Sequence, residues 1–349
     1  MRAVVLEKPG PIEERPLRLL DVPAPHAGPG EVRVRVSVCG VCHTDLHTVE
    51  GELQAALPVI PGHQIIGVVD EVGPVPAAPG VPAGEGTPAG EGAPVAVGAR
   101  VGIPWLYSTC GRCDYCRRGD ENLCESPRFT GLDHDGGYAE YVVVPAAFAA
   151  PAPPVFSDAQ GAPLLCAGII GYRSLKVSGL RPGERLALFG FGASAHIAIQ
   201  IARHWGCEVL VFTRSERHRR MALRLGASWA GAAGEKPPVE VDRAVTFAPA
   251  GRLIPEALKV LRRGGTLAIN AVHLDGVPGF PYDLLYWEKT VRSVANATRR
   301  DAVEFLELAA YIPIETEVQV FRLREANDAL IALKRGDIQG AAVLDISAG

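Results

Sequence analysis

The sequence predicts an α/β protein of two domains, one of which is built on a doubly wound parallel sheet. At 349 residues the chain is longer than the size at which a single hydrophobic core usually stops growing. A buried-strand pattern at 184–190 is followed by a glycine turn, a helical pattern and a second strand at 207–212. Strand and helix patterns continue to alternate, as they do where helices cover both faces of a parallel sheet.

The amino-terminal half is predicted to be rich in strands. Valines alternate with polar residues at 32–36, the period of a half-buried strand, and we expect this strand to deliver Cys39 to a loop. A turn at 58–63 precedes the next predicted strand, 64–70. Residues 73–98 consist almost entirely of Pro, Gly, Ala and Val, so we expect a flexible surface loop there.

Further elements follow the glycine turn. Predicted strands cover 242–247, 265–270, 290–295 and 341–345, and predicted helices cover 252–262, 301–311 and 324–335. We expect the last two helices and the closing strand to return to the first domain.

The composition is that of an ordinary soluble protein, with 48% hydrophobic and 21% charged residues. A net charge of -4 and a pI near 6.2 provide no basic surface for nucleic acid. Prolines interrupt the most apolar stretch, 141–156, which argues against a membrane helix, and the first ten residues lack the apolar run of a signal peptide. We therefore expect a cytoplasmic protein without a nucleic-acid or membrane partner.

Four cysteines form the most specific pattern in the chain. Cys110, Cys113 and Cys116 recur at every third position, and Cys124 follows after seven intervening residues. Four thiolates can close around one zinc ion and leave no open position, so the pattern predicts a structural zinc site in a lobe at about 105–126. The alternatives are two disulfides or an iron–sulfur cluster, for which the fourth cysteine is wrongly placed.

A second cluster, Cys39-Gly-Val-Cys-His-Thr-Asp-Leu-His47, combines thiols, imidazoles, a hydroxyl and a carboxylate. A thiolate followed by a hydroxyl two residues on and an imidazole five residues on suggests a zinc site with a proton path leading away from it. A Cys-x-x-Cys pair can equally be a redox pair, a structural zinc corner or neither. Taken alone, His63 is more often a satisfied histidine, and Cys166 a buried structural cysteine.

The glycine turn Gly190-Phe191-Gly192-Ala193-Ser-Ala195 fits the pattern G-x-G-x-x-A of dinucleotide-binding sites. The first glycine allows the tight turn, the second lets the backbone approach a pyrophosphate, and the alanine packs the helix on the strand. The turn therefore predicts a site for a nicotinamide cofactor.

The residues after the second strand indicate which cofactor is bound. The strand ends at Thr213-Arg214-Ser215, and Arg217 follows one turn later. NAD sites generally place a carboxylate here for the ribose 2′-hydroxyl, whereas an arginine accommodates a 2′-phosphate. NADP(H) is therefore favoured over NAD(H), the alternative being that Arg214 is merely a solvated charge.

Together these motifs resemble the zinc-containing alcohol dehydrogenases of the medium-chain dehydrogenase/reductase superfamily. The resemblance covers the whole chain except 73–98 and depends on the cluster at 39–47, Pro61-Gly-His63, the cysteines at 110–124, Leu165-Cys166 and Gly190-Phe-Gly192. It implies a GroES-like catalytic domain, residues 1–153 and 296–349, interrupted by a Rossmann NADP(H)-binding domain, residues 154–295. It also implies an active site in the cleft between the two.

The resemblance implies a ligand set for a catalytic zinc ion. Cys42, rather than Cys39, is the first ligand, and His63 and Cys166 are the others, which gives two zinc ions per chain. By the same comparison Asp45 lies behind the ligands, where such a group orients them and tunes the metal.

The comparison with the family also shows departures. Gln64 stands where the family usually has Glu, which removes a negative charge close to the metal. Relatives often carry an arginine for the pyrophosphate where Ala341 stands, and Arg299 or Arg300 is a candidate replacement. His43 falls where the family places a basic residue near the cofactor phosphates.

The reaction implied is reversible hydride transfer between a small primary alcohol or aldehyde and NADP(H) or NAD(H). The hydroxyl proton is expected to pass to Thr44 and, through the cofactor ribose, to His47, since a histidine's ordinary pKa of about 6.5 suits loading and unloading. Trp105 matches a bulky residue of small-alcohol pockets, and we expect a homodimer or homotetramer. The rivals are a zinc-independent quinone or enoyl reductase, whose members generally lack the ligand set, and, remotely, a zinc-ribbon nucleic-acid-binding module.

Overall fold

The chain forms two compact units in the computed structural model, which describes residues 1–75, 95–312 and 314–347. One unit comprises Met1–Cys166, Thr298–Glu307 and Thr316–Gly349, and the other Ala167–Ala297 and Leu308–Glu315. The domain boundaries at 153 and 296 stay predictions. Most of the predicted flexible loop, residues 76–94 of 73–98, lies outside the described residues.

Strands and helices are numbered along the whole chain. In the described ranges the strands are β1 (Arg2–Leu6), β2 (Leu17–Asp21), β3 (Glu31–Val41), β4 (Ile65–Val72), β5 (Arg100–Ile103), β6 (Leu106–Ser108), β7 (Arg128–Phe129), β8 (Tyr141–Pro145), β9 (Ala150–Pro151), β10 (Arg185–Phe189), β11 (Glu208–Phe212), β12 (Trp229–Gly231), β13 (Val241–Thr246), β14 (Leu261–Ile269), β15 (Thr290–Ser293), β16 (Val318–Arg322) and β17 (Ala341–Asp345). The α-helices there are α1 (His43–Glu50), α2 (Asp114–Arg117), α3 (Asp158–Gly161), α4 (Ala167–Ser178), α5 (Ala193–His204), α6 (Glu216–Arg224), α7 (Leu253–Val260), α8 (Arg299–Tyr311) and α9 (Ala326–Arg335).

The first unit is built on a seven-stranded, mainly antiparallel sheet. Its order is β16-β17-β3-β4-β5-β9, and β8 also pairs with β3. The expectation that Cys39 lies on a loop is wrong, because β3 continues to Val41 and buries Cys39 completely opposite Ile65. The longer strand makes Cys42 the first residue beyond it, directly before α1.

The second unit is built on a six-stranded sheet in which every pair is parallel. The strand order is β12-β11-β10-β13-β14-β15. The first strand of this unit, β10, lies in the middle of the sheet. Strands β11 and β12 are added on one side of it and strands β13 to β15 on the other, which is the doubly wound arrangement. The predicted fold class, a β-rich GroES-like unit plus a Rossmann unit, is confirmed.

Within the described ranges, no helix combines the length and the apolar composition that crossing a membrane requires. The cytoplasmic location stays a prediction.

Candidate active site

Three side chains that are far apart in the sequence meet in the first unit. The donor atoms of Cys42, His63 and Cys166 all lie within 4.8 Å of one another, and the two sulfur atoms are 3.9 Å apart. His63 is 1% exposed, and its Nε2 atom has no hydrogen-bond partner among the described residues. Buried polar atoms are nearly always paired, so an unpartnered imidazole nitrogen beside two thiols fits a zinc ion.

The start of α1 explains the position of Cys42. The sulfur of Cys42 accepts a hydrogen bond from the backbone N–H of Thr44 at 3.5 Å, and the backbone N–H of Cys42 donates to Asp45 Oδ2 at 2.9 Å. These two hydrogen bonds form a capping box at the start of the helix. A helix N-terminus favours a thiolate. The neighbouring thiol of Cys166, together with His63, lowers the pKa of Cys42 well below its ordinary value although burial opposes the shift.

Asp45 is the point at which the segments that carry Cys42, His63 and Tyr138 converge. This buried carboxylate accepts hydrogen bonds from the N–H of Cys42, the N–H of Gly62 at 3.2 Å, His63 Nδ1 at 3.0 Å and the hydroxyl of Tyr138 at 3.3 Å. Burial disfavours a charged imidazole, but the Asp45 carboxylate still raises the pKa of His63 to about 10. Because Nδ1 is bound to Asp45, Nε2 is the nitrogen available to a metal.

Tyr138 is a site residue that no sequence pattern indicated. It is completely buried, and its N–H donates to Pro61 O at 3.0 Å, while the N–H of Gly137 donates to Gly62 O at 2.9 Å. Gly62 has a φ of +99°, and a Cβ atom there would lie 2.4 Å from Tyr138 Cδ1. Only glycine fits this turn, which carries His63.

The predicted proton-path residues lie on α1. Thr44 is buried, and its Oγ1 accepts from the thiol of Cys42 at 3.7 Å. His47, one turn later and partly exposed, has its Nδ1 atom 2.6 Å from Glu52 Oε2. His43 is exposed at the start of the helix, its ring centroid 6.4 Å from that of His47.

Two stacked aromatic side chains lie beside the candidate zinc site. The ring of Trp105 lies 6.0 Å from that of His63 and stacks on Phe129 at 4.4 Å. Phe129 was not indicated by the sequence, because its closeness to Trp105 arises only when β6 pairs with β7. Gln64 is buried directly after His63 and packs so closely on Gly40 that a Cβ atom there would lie 2.9 Å from Gln64 Cβ.

The four-cysteine lobe forms a second cluster. The sulfur atoms of Cys110, Cys113, Cys116 and Cys124 lie within 4.8 Å of one another, and all four are free thiols rather than disulfides. Backbone N–H groups point at the sulfurs, from Cys110 to Cys124 at 3.3 Å and from Cys113 to Cys110 at 3.4 Å. The N–H groups of Arg112 and Cys113 lower the pKa of Cys110 to about 6. Thiolates held this way can enclose one metal ion.

The lobe is tied to the rest of the first unit by an ion pair between Glu121 and Arg299. The backbone N–H, Nε and Nη2 of Arg299 all donate to the Glu121 carboxylate, at 2.7 to 3.1 Å, and the guanidinium also lies over the ring of Phe148. Arg299 is therefore engaged with the lobe. Arg300, the other candidate for the pyrophosphate, pairs with Glu304 on the surface.

In the second unit the glycine turn joins β10 to α5. Gly190 has a φ of +87°, and a Cβ atom there would lie 2.9 Å from Ala248 N. Gly192 caps α5 without a side-chain hydrogen bond, and a Cβ atom there would meet nothing within 4 Å. Phe191 is buried, and Ala193 begins the helix. The space beside Gly192 is thus open at the start of a helix, an arrangement that suits an anion such as a pyrophosphate.

The residues that follow β11 offer exposed positive charge. Thr213 is buried, Ser215 caps α6, and Arg214 and Arg217 are exposed. Arg214 makes no ion pair with any residue the structure describes, whereas Arg219 donates to Thr213 O at 3.0 Å and lies near Glu216.

Comparison with known proteins agrees with this geometry. Residues 28–154 match the family "Alcohol dehydrogenase GroES-like domain", and residues 195–310 match the family "Zinc-binding dehydrogenase". The chain is similar, at 49% identity over 347 residues, to the Mycobacterium tuberculosis (strain CDC 1551 / Oshkosh) protein named "Probable alcohol dehydrogenase AdhA", covering 99% of this chain and 97% of that one.

Two further relatives span the full length. An alcohol dehydrogenase of Geobacillus stearothermophilus is 37% identical over 99% of this chain and 100% of its own. The solved structure of a cobalt- and zinc-bound thermostable alcohol dehydrogenase from Pyrobaculum aerophilum matches with a TM-score of 0.84 and 27% identity, covering 99% of each chain. The chain therefore belongs to the zinc-type alcohol dehydrogenase family of the medium-chain dehydrogenase/reductase superfamily, whose members act on small-molecule substrates.

Proposed function

We propose that this alcohol dehydrogenase transfers hydride reversibly between a small primary alcohol or aldehyde and NADP(H), with a catalytic zinc ion held by Cys42, His63 and Cys166. The observation that carries the proposal is the convergence of two thiols on an unpartnered, buried imidazole nitrogen. A zinc ion bound there supplies Lewis acidity, which lowers the pKa of an alcohol hydroxyl, and the nicotinamide supplies the hydride donor or acceptor.

The chain's own residues hold the ligands and move the proton. Asp45 fixes the His63 ring so that Nε2 remains free for the metal. In alcohol oxidation the carbinol C–H bond breaks with its electron pair leaving as hydride, and the hydroxyl proton goes to the protein. Thr44 Oγ1, which lies 3.7 Å from the sulfur of Cys42, accepts that proton while its own hydroxyl hydrogen leaves in the direction of His47. His47 passes it to solvent, since its side chain is 26% exposed.

The substrate is proposed to be small because the stacked rings of Trp105 and Phe129 stand beside His63. Two stacked aromatic rings are rigid, so they limit the size of a bound substrate more strictly than separate aliphatic side chains do. A second, structural zinc ion is proposed for the four-cysteine lobe, where four thiols leave no position open for a substrate.

Mutating Cys166 tests the zinc proposal. Cys166→Ala is expected to lose one zinc equivalent per chain together with activity, measured by metal analysis and NADPH oxidation with aldehydes. Cys207→Ala, which removes a buried free cysteine outside both clusters, is the matched control. If Cys166→Ala retains both zinc and turnover, Cys166 is not part of the site. If it loses zinc but keeps full turnover, the zinc-independent reductase is favoured.

The preference for NADP(H) rests on Arg214 and Arg217, which provide guanidinium groups beyond β11 where NAD sites carry a carboxylate. Arg214→Asp is expected to lower kcat/KM for NADPH about 10-fold or more while sparing NADH, because a carboxylate repels the 2′-phosphate and accepts from the 2′-hydroxyl. Arg220→Asp, at an exposed position of the helix α6 that follows Arg214, is the control. An unchanged NADPH/NADH ratio defeats the phosphate assignment.

The assembly is proposed to be a homodimer or homotetramer. Strand β15 lies at one edge of the parallel sheet with all four of its residues exposed, and it is preceded by the exposed aromatic residues Tyr286 and Trp287. An open edge strand beside apolar surface is a template for pairing with another chain, so a second copy is the proposed partner.

A further inference from the structure

His47 is held by a carboxylate from beyond the end of its own helix. After α1 the chain turns at Gly51, whose φ is +83°, and the N–H groups of Glu52 and Leu53 donate to His47 O at 2.9 and 3.2 Å. This reversal brings Glu52 Oε2 to 2.6 Å from His47 Nδ1. The pair is therefore positioned by three main-chain features of one turn as well as by the side chains.

The neighbouring carboxylate has a different role. Glu50 accepts the N–H of Ile12 at 3.1 Å and binds Lys334 Nζ at 2.7 Å, which ties the end of α1 to other elements. Among the described residues Glu52 has no ion-pair partner other than His47. Its carboxylate is thus free to act on the imidazole alone.

We propose that Glu52 is a positioning residue that sets the tautomer and orientation of His47 for proton transfer. A neutral imidazole carries hydrogen on only one of its two nitrogens, and a carboxylate can only accept. Glu52 therefore selects the Nδ1–H form and leaves the lone pair of Nε2 as the proton acceptor. The inference rests on the proposed function only in assigning His47 to the proton path.

The tautomer can be observed without turnover. Long-range ¹H–¹⁵N spectra of the zinc-loaded protein, recorded under mildly alkaline conditions where an ordinary histidine is neutral, distinguish Nδ1–H from Nε2–H. We expect Nδ1–H at His47 in the wild type and in Glu52→Gln, whose amide oxygen still accepts. Glu52→Leu is expected to shift the ring toward Nε2–H. An Nε2–H form in the wild type, or no change in Glu52→Leu, overturns the proposal.

A double-mutant cycle then tests whether Glu52 acts through His47. Glu52→Leu is expected to lower kcat about 3–10-fold with KM unchanged, less than the roughly 100-fold typical of losing an acid–base group itself, and Glu52→Gln is expected to restore most of the loss. In a His47→Gln background Glu52→Leu is expected to have no further effect. Glu7→Leu, at an exposed carboxylate of the same unit, is the control.

The outcomes separate this inference from the proposed function. If His47→Gln slows turnover but Glu52→Leu does not, Glu52 has no positioning role and the proton path stands. Equal losses from Glu52→Leu in both backgrounds likewise overturn the inference, because the effect then bypasses His47. If His47→Gln leaves kcat unchanged, both the proton path and the role of Glu52 fall, while the zinc and cofactor assignments remain to be judged by the Cys166 and Arg214 variants.

Discussion

Asp45 connects more of the candidate active site than any one sequence motif indicated. Its carboxylate joins the helix that starts beyond Cys42, the turn that carries His63 and the phenol of Tyr138. The resemblance to the family implied the three candidate ligands, because Cys-x-x-Cys-His, Pro-Gly-His and Leu-Cys are local patterns that match its motifs. Tyr138 and Glu52 could not be predicted in this way, since each acts through a contact that exists only after the chain has folded.

Tyr138→Phe is expected to weaken zinc binding at the Cys42, His63 and Cys166 cluster. Mutating a group that directly orients a metal ligand typically costs about 10–100-fold in metal affinity. The hydroxyl of Tyr138 acts on His63 only through its hydrogen bond to Asp45, so a smaller loss of about 3–10-fold is expected. Chelator competition measures the change. Tyr141→Phe, nearby in the sequence, is the matched control, as its hydroxyl makes no hydrogen bond among the described residues. Equal affinities in the two variants contradict the role of the hydroxyl.

At the scale of elements, buried patterns were predicted well and exposed ones poorly. The closing strand was predicted at 341–345 and is β17 with the same bounds. The central strands β10, β11 and β13 of the parallel sheet are matched within one residue at each end because most of their side chains are buried, whereas the short strand β12 was not predicted. Strand β16 was missed. Its Val-Gln-Val-Phe-Arg sequence is mostly exposed, and its pairing with β17 depends on the fold rather than on its own pattern.

The ion pair between Glu121 and Arg299 is expected to anchor the four-cysteine lobe. Arg299→Ala leaves the buried Glu121 carboxylate without its guanidinium partner, which is expected to cost about 1–3 kcal/mol of unfolding free energy. Zinc release from the lobe to a chelator should accelerate as well. Arg300→Ala removes an adjacent pair whose arginine is 83% exposed, and it is expected to cost less than about 1 kcal/mol. Equal effects of the two substitutions contradict the anchoring role.

At the scale of the whole molecule, chain length and alternation predicted two units, and the family assignment confirms the fold class. The proposed zinc ligands Cys42, His63 and Cys166 are far apart in the sequence but belong to one unit, whose first segment ends at Cys166. No local pattern could show that these residues converge, and the resemblance to the family supplied this information. Assembly is less predictable still, because the sequence predicted a strand at β15 but not that this strand forms an exposed edge of the sheet.

Val291→Lys is expected to dissociate the proposed assembly. Val291 is 38% exposed at the centre of β15, which pairs with β14 alone among the described strands. A charge on an edge strand opposes pairing with another chain, so the mass measured by light scattering should fall to that of one 36.9 kDa chain. Val320→Lys places the same charge at a 55% exposed valine on β16, an edge of the other sheet, and should leave the mass unchanged. If Val320→Lys dissociates the assembly instead, the interface lies on the first unit. If neither variant changes the mass, neither edge strand holds the copies together.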